Sequence, residues 1–228
     1  MLIVPAASGL PGTEPAGATT HDAGTEAEWR AAVAAAAADT SGPQVITITD
    51  DFTMTEADSP RYDGEQPLTV DGGDHVVSGS PANTRFLEQQ RSHALVTIQD
   101  LTVRDFQFVG AGGAVYFSFN GLVQDTTFVD NHTPGDGGAI WSSRELLVRD
   151  SAFTTNTVDE YDGAVAGYGI TIEDSTFDGN VTERECGAVL AYGGSRPSGI
   201  VARATFTGDR AEGGPSGVGG GLCAGGGL

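Results

Sequence analysis

Lysine is absent from this chain of 228 residues; its 11 basic residues are all arginine, set against 31 acids for a formal net charge of −20. A phosphate footprint needs clustered Lys and Arg, so this balance excludes nucleic acid and an anionic lipid surface as partners. Cysteine is scarce as well. Cys186 and Cys223 are too few for a disulfide scaffold and lack zinc-site spacing. In the repeat register set out below they fall four positions apart in neighbouring coils, which predicts that they do not stack into a bridge. No stretch reaches the ~18 apolar residues that cross a bilayer, so no integral membrane segment is expected. The four histidines, His21, His75, His93 and His132, share no register, which argues against a metal cluster built from them.

Glycine, by contrast, is abundant, with 34 residues, and it recurs at fixed steps. Gly112-Gly113-Ala114-Val115 is followed by Gly137-Gly138-Ala139-Ile140 and then by Gly163-Ala164-Val165. A second signature answers each: Phe128-Val-Asp-Asn131, Phe153-Thr-Thr-Asn156 and Phe177-Asp-Gly-Asn180. The steps are 25, 25 and 24 residues. A period in this range means stacked units that bury their apolar faces against their neighbours. Because each coil returns to the same place one level up, its short strands must be parallel. The fold class expected is all-β: a parallel β-helix preceded by a short capping α-helix, with a right-handed coil implied by the family resemblance given below. An antiparallel sandwich would show hairpin turns at roughly 8–12 residue spacing instead.

Three segments follow. Residues 1–24 read as a disordered leader or the remnant of an export signal, with Ala16-Gly17-Ala18 resembling a signal-peptidase site. Residues 25–42 hold the cap helix: Thr25 and Glu28 form a capping box, the Ala-rich run Glu26 to Ala38 propagates it, and Gly42-Pro43 stop it. Residues 43–228 form the β-helix, which is expected to be truncated at its C-terminus. Within it, Asp71-Gly72-Gly73-Asp74 reads as a turn, residues 56–66 as a surface excursion, and Gly193–Pro197 as an insertion in the fifth coil.

The repeated positions divide into structural and free ones. Val115, Ile140, Val165, Val189 and Leu222 form an inward ladder, and Phe128, Phe153, Phe177 and Phe206 form a second. Asn131, Asn156 and Asn180 sit at a turn where their amides can bond the copies above and below. Asp100, Asp125, Asp150 and Asp174 are a column of carboxylates about 5 Å apart that requires compensation. Three roles suit them: turn residues, bridging ligands for calcium, or an acid/base pair. In the next coil Arg203 is aligned with them and would sit over Asp174. The outward positions carry Tyr116, Trp141, Tyr168 and Tyr192. Those rings either form an exposed patch for sugars or a protein partner, or pack beneath the neighbouring loops.

The paired motifs Gly-Gly-Ala-Ile/Val and Phe-x-x-Asn resemble the repeats of the polymorphic outer membrane protein family and related bacterial surface β-helix proteins. The likeness covers about residues 65–225 and includes Leu68-Thr69-Val70-Asp71-Gly72-Gly73 and Leu101-Thr102-Val103. It implies an exported, surface-exposed module, secreted or associated with the cell surface or outer membrane, and often adhesive. Its partner would be a surface glycan or a protein of a host or neighbouring cell. The sequence departs from that pattern in lacking a C-terminal anchor or translocator barrel. The same fold also hosts polysaccharide lyases and glycoside hydrolases, which is the alternative function. Against it stand the absence of lysine, the single Arg of Arg196-Pro197 and the strong negative charge, which disfavours a uronate substrate. The sequence analysis therefore assigns no catalytic residue and no cofactor, calcium excepted as a candidate.

Overall fold

The 25-residue period closes into coils whose strands stack in register. The computed structural model describes residues 15–80, 83–160, 162–192, 200–213 and 220–225. It is a parallel β-helix of about seven turns with one short helix near its N-terminus. Three faces run along the rod. One is a 12-stranded sheet that includes Leu68–Ser78, Val96–Arg104 and Gly121–Val129. A four-stranded sheet runs from His132–Thr133 to Arg210–Ala211, and a seven-stranded sheet runs from Arg61–Tyr62 to Leu222–Gly225. All the strand pairs are parallel and in register, as in Val115↔Ile140↔Val165↔Val189↔Leu222.

The core is a set of like-on-like columns. Phe128 stacks on Phe153 at 5.1 Å, Phe153 on Phe177 at 4.8 Å, and Phe177 on Phe206 at 5.1 Å, with interplanar angles of 18° or less. The coil rise of about 4.8 Å sets that separation, so identical rings pile face to face. At the N-terminal end the helix Glu26–Ala38 closes the rod. Its capping box forms as expected: the Glu28 N–H donates to Thr25 Oγ1 at 3.3 Å, while the Glu28 carboxylate takes the Thr25 hydroxyl at 2.9 Å and the Gly24 N–H at 3.1 Å. Trp29 from this helix stacks on Phe86 at 4.6 Å and donates its indole N–H to the Phe86 carbonyl at 3.1 Å. The cap thus continues the aromatic core instead of only shielding it.

Three expectations require correction. Thr19–Ala23, read as leader, is a strand that pairs in parallel with Gln44–Ile48, adding backbone hydrogen bonds beside the cap helix; residues 1–14 lie outside the described part. Asp71–Asp74 does not break the chain into two strands. Leu68–Ser78 runs on through a bulge there, with Gly73 and Asp74 in the left-handed region. The excursion at 56–66 contains the strand Arg61–Tyr62 and a fully buried Tyr62, so it opens the seven-stranded face.

Two corners hold the cross-section. At the first, Asp100, Asp125, Asp150, Asp174 and Arg203 all adopt φ between 47° and 54°. A left-handed residue bends the strand, and Asp is among the side chains that tolerate it. The column is therefore a turn column, and two of its carboxylates have side-chain partners: Gln99 at 3.2 Å for Asp100, and Arg203, which lies over Asp174 as the register predicts, at 2.6 Å. Burial, followed by the charges of Asp71, Asp125 and Asp74, pushes the Asp100 carboxyl up, whereas the Arg203 guanidinium holds that of Asp174 down. Just after the corner a hydroxyl ladder appears that the repeat did not announce. Ser151 Oγ accepts from the Thr126 N–H, and Ser175 Oγ accepts from the Ser151 N–H, each at 3.2 Å.

The second corner is the asparagine ladder. Asn131 donates its amide to Asn156 Oδ1 at 2.9 Å, and Asn156 donates to Asn180 Oδ1 at 3.0 Å. Each Oδ1 also accepts the backbone N–H of the preceding rung, and each amide also donates to a carbonyl of the coil below, Val103, Phe128 or Phe153. All three asparagines are fully buried. Both donors and both acceptor sites of Asn156 are used, so removing its amide strands several buried groups at once. We expect Asn156→Ala to destabilise the protein by at least ~3 kcal/mol, since each buried orphan costs about 1–3 kcal/mol. Denaturant unfolding of the two proteins measures this, and a loss below about 1 kcal/mol would contradict the ladder's structural role.

Candidate functional site

The outer side of the seven-stranded face carries the one place where the repeat is broken by chemistry. In its strands, alternate residues leave the core. Tyr116 of Val115–Phe117 pairs with Trp141 of Ile140–Ser142, then with Ala166 of Val165–Tyr168 and Leu190 of Val189–Tyr192. Tyr168 pairs with Tyr192. Ala166 is small, and beside it three rings from successive coils meet. Trp141 approaches Tyr168 at 6.4 Å and 89°, Trp141 approaches Tyr192 at 5.8 Å, and Tyr168 and Tyr192 lie 5.4 Å apart. Tyr168 is 44% exposed, while Trp141 and Tyr192 are half-buried.

These rings are neither wholly free nor wholly covered. Trp141 and Tyr192 pack on a small apolar cluster of Ala166, Cys186 and Leu190 outside the sheet, yet both, like Tyr168, keep part of their surface in solvent. Tyr116 stands apart. Its hydroxyl shares Ser143 Oγ with the Trp141 indole, at 3.2 Å and 3.3 Å, but its ring faces the Arg85 guanidinium at 5.2 Å. That guanidinium is buried against Glu88 at 3.1 Å and lies 3.5 Å from the Phe108 ring centre.

The disulfide is the clearest correction. Cys186 and Cys223 are bonded, with Cα atoms 6.0 Å apart. Strand register alone separates them, because Cys223 pairs with Leu190. Cys186, however, lies in the loop that enters the coil, buried in the outer apolar cluster, and Cys223 packs against the same cluster. A loop that folds over the strand brings together two positions that a ladder keeps apart.

The position occupied by Cys186 also explains what the sequence analysis missed. Three residues before the inward ladder stand Gly112, Gly137, Asp162 and Cys186. In the first two coils this residue is left-handed, with φ of 76° and 69°, and an added Cβ would lie 2.3 Å from the carbonyl oxygen of Val115 or Ile140. Only glycine fits there. From Asp162 onward the entry loop takes another course, Asp162 and Cys186 leave the left-handed region, and each carries a side chain into the outer cluster's surroundings. The signal was available as a glycine column that changes to Asp and Cys.

Asp162 is fully buried. Its Oδ2 accepts the Tyr192 hydroxyl proton, and its Oδ1 is buried with no hydrogen-bond partner. Burial pushes its carboxyl up to about 7; the Tyr192 bond opposes this, while the charges of Asp136 and Glu185 add to it. Asp136 is itself raised by burial and by Glu160, and Tyr192 is raised by burial and by Asp162. Of the four residues of the Asp corner, none belongs to this site. Among the described residues no group of three or more His, Cys, Asp and Glu side chains is placed to hold a metal ion, the calcium candidates Asp100, Asp125, Asp150 and Asp174 included. The 193–197 insertion lies outside the described residues. Comparison with known protein families, with curated proteins and with solved structures gives no match.

A raised folded-state pKa sets the sign of a stability prediction. Below pH 3.8 the Asp162 carboxyl is neutral in both states; between 3.8 and about 7 the unfolded chain ionises while the folded chain keeps its proton, so stability falls, and the loss is complete above that. Asp162→Asn keeps an acceptor for Tyr192 and removes the charge. Relative to this variant the parent is expected to lose stability between pH 4.5 and pH 8, by about 3 kcal/mol at ~1.36 kcal/mol per unit. Paired thermal melts across that range test it, and parallel profiles would show that Asp162 does not titrate in this window.

Proposed function

We propose that this chain is a non-catalytic binding module of an exported or cell-surface β-helix protein, and that it holds a saccharide chain on the outer aromatic face. The observation that carries the reading is the meeting of Trp141, Tyr168 and Tyr192 from three successive coils. Aromatic rings that are partly packed and partly exposed to solvent suit the apolar faces and polar rims of sugars. Their ring centres lie within 6.4 Å of one another, so the three form one compact patch against which a sugar can rest.

Export is supported by two further features. The buried Cys186–Cys223 bond belongs to an oxidising compartment, since cytosolic thiols are kept reduced. The repeat resembles that of the polymorphic outer membrane proteins, whose modules are surface-exposed. A net charge of −20 keeps such a rod soluble and separated from its copies.

The enzymatic alternative rests on one observation, the raised carboxyl of Asp162 beside the rings. A glycoside hydrolase needs a second carboxylate across the scissile bond and access of the acid to the leaving oxygen. Asp162 is closed off from solvent and already bonded to Tyr192. We therefore expect no new reducing ends or unsaturated uronates from pectin, alginate or amino-sugar polymers, with or without calcium. On a glycan array, Trp141→Ala is expected to weaken binding about tenfold, the equivalent of ~1.4 kcal/mol. Catalytic product release, or an array signal untouched by Trp141→Ala, would overturn the reading.

A further inference from the structure

The aromatic face has a charge imbalance that a neutral sugar does not answer. Several carboxylates elsewhere in the described residues have a cation: Glu88 has Arg85, Asp174 has Arg203, and Glu26 has Arg30 at 2.9 Å. Asp162 has none among the described residues, although it is more deeply buried than Asp174. Its Oδ1 has no donor, and the charged groups that act on it, Asp136 and Glu185, carry the same sign. Its one partner is the hydroxyl of Tyr192, itself a member of the ring cluster. A phenol that donates to a carboxylate gains electron density in its ring, and the ring face becomes a better seat for positive charge. The same sheet shows the finished form of this arrangement one strand further down, where Arg85 sits 5.2 Å from Tyr116 and 3.5 Å from Phe108. At Trp141, Tyr168 and Tyr192 the rings and the negative charge are present, and no described residue supplies the cation.

We propose that the Trp141–Tyr168–Tyr192 cluster, backed by Asp162, binds an organic ammonium group carried on a saccharide, that is, an amino sugar whose amine is free. This rests on the saccharide reading given above and narrows it to a cationic ligand. The ammonium lies against the solvent-exposed part of the rings, and Asp162 acts through Tyr192 without touching it. A cation so placed favours the ionised form of Asp162, so binding near neutral pH releases part of a proton from this carboxyl. The groups that compete for the same positive charge are Asp136 and Glu185 beside Asp162, and Glu160 beside Asp136.

The experiment uses the whole chain and three probes in isothermal titration: a glucosamine hexamer, its fully N-acetylated counterpart and a tetralysine peptide. The glucosamine hexamer is expected to bind at least tenfold tighter than the acetylated one. Its heat is expected to differ between phosphate and Tris at pH 7 by the ionisation heat of the released proton. Asp162→Asn should abolish that buffer dependence and most of the preference, while Tyr168→Ala, a change at an exposed ring, should weaken the free-amine hexamer whatever Trp141→Ala does to folding. Equal binding of the two hexamers, lost in Tyr168→Ala, would overturn the ammonium proposal and leave the saccharide reading intact. Binding of neither hexamer would overturn both. Tetralysine bound more tightly than the glucosamine hexamer would overturn the saccharide source.

Discussion

The rod depends on a column of buried amides. At the corner held by Asn131, Asn156 and Asn180, every coil must reverse direction inside a closed interior, where water cannot satisfy the turn. One side chain per coil does this for its own level and the next: it accepts two N–H groups from the coil below, donates to a carbonyl there, and donates to the rung above. The geometry requires that successive coils bring this corner back to the same place. The steps of 25 and 24 residues between the three asparagines meet that demand, and the longer step of 29 residues from Asn180 to Asp209 meets it too. The phenylalanine stack beside it, with rings 4.8 to 5.1 Å apart, follows from the same registration and adds apolar burial.

The ladder also has a direction. Amide protons pass from each rung to the oxygen of the next, and at the last described rung the acceptor is Asp209, at 2.8 Å from Asn180 Nδ2. An aspartate can take the proton but, when ionised, has none to hand on. Its Oδ2 is left without a partner, and burial raises its carboxyl. An asparagine column can in principle propagate indefinitely, whereas an aspartate ends the relay. The replacement was visible in the sequence as a departure from the Phe-x-x-Asn signature, but its meaning follows only from the direction of the bonds.

What the sequence disclosed and what it hid separate along one line. Properties that repeat were legible: the parallel coils, the Val, Phe and Asn columns, the cap helix at Glu26–Ala38, and Arg203 over Asp174. A period reports which residues share a level position, and solenoid packing turns that directly into contact. The candidate site was legible only by half. Alternation placed Tyr116, Trp141, Tyr168 and Tyr192 on the outer side, but not which of them meet, because that depends on Ala166 leaving room and on Arg85 already occupying the side of Tyr116. The Cys186–Cys223 bond and Asp162 were hidden because Cys186 and Asp162 lie in the loops between strands, where the path of the chain changes from coil to coil and register gives no distances.

This distinction explains where a solenoid can afford function at all. Inside the columns, any change must be matched by the levels above and below, so an inward polar group would orphan its neighbours as well as itself. The entry loop before each inward ladder is under no such constraint once it leaves the left-handed path enforced at Gly112 and Gly137. The two coils that leave it bring in one carboxyl and one thiol, side by side in successive levels, on the same outer surface as the ring cluster. The disulfide ties the wall of that surface to the next coil without using a core position, and the carboxyl sets its charge without disturbing a ladder. Repetition supplies the rigid frame, and the chemistry collects where two consecutive coils stop repeating.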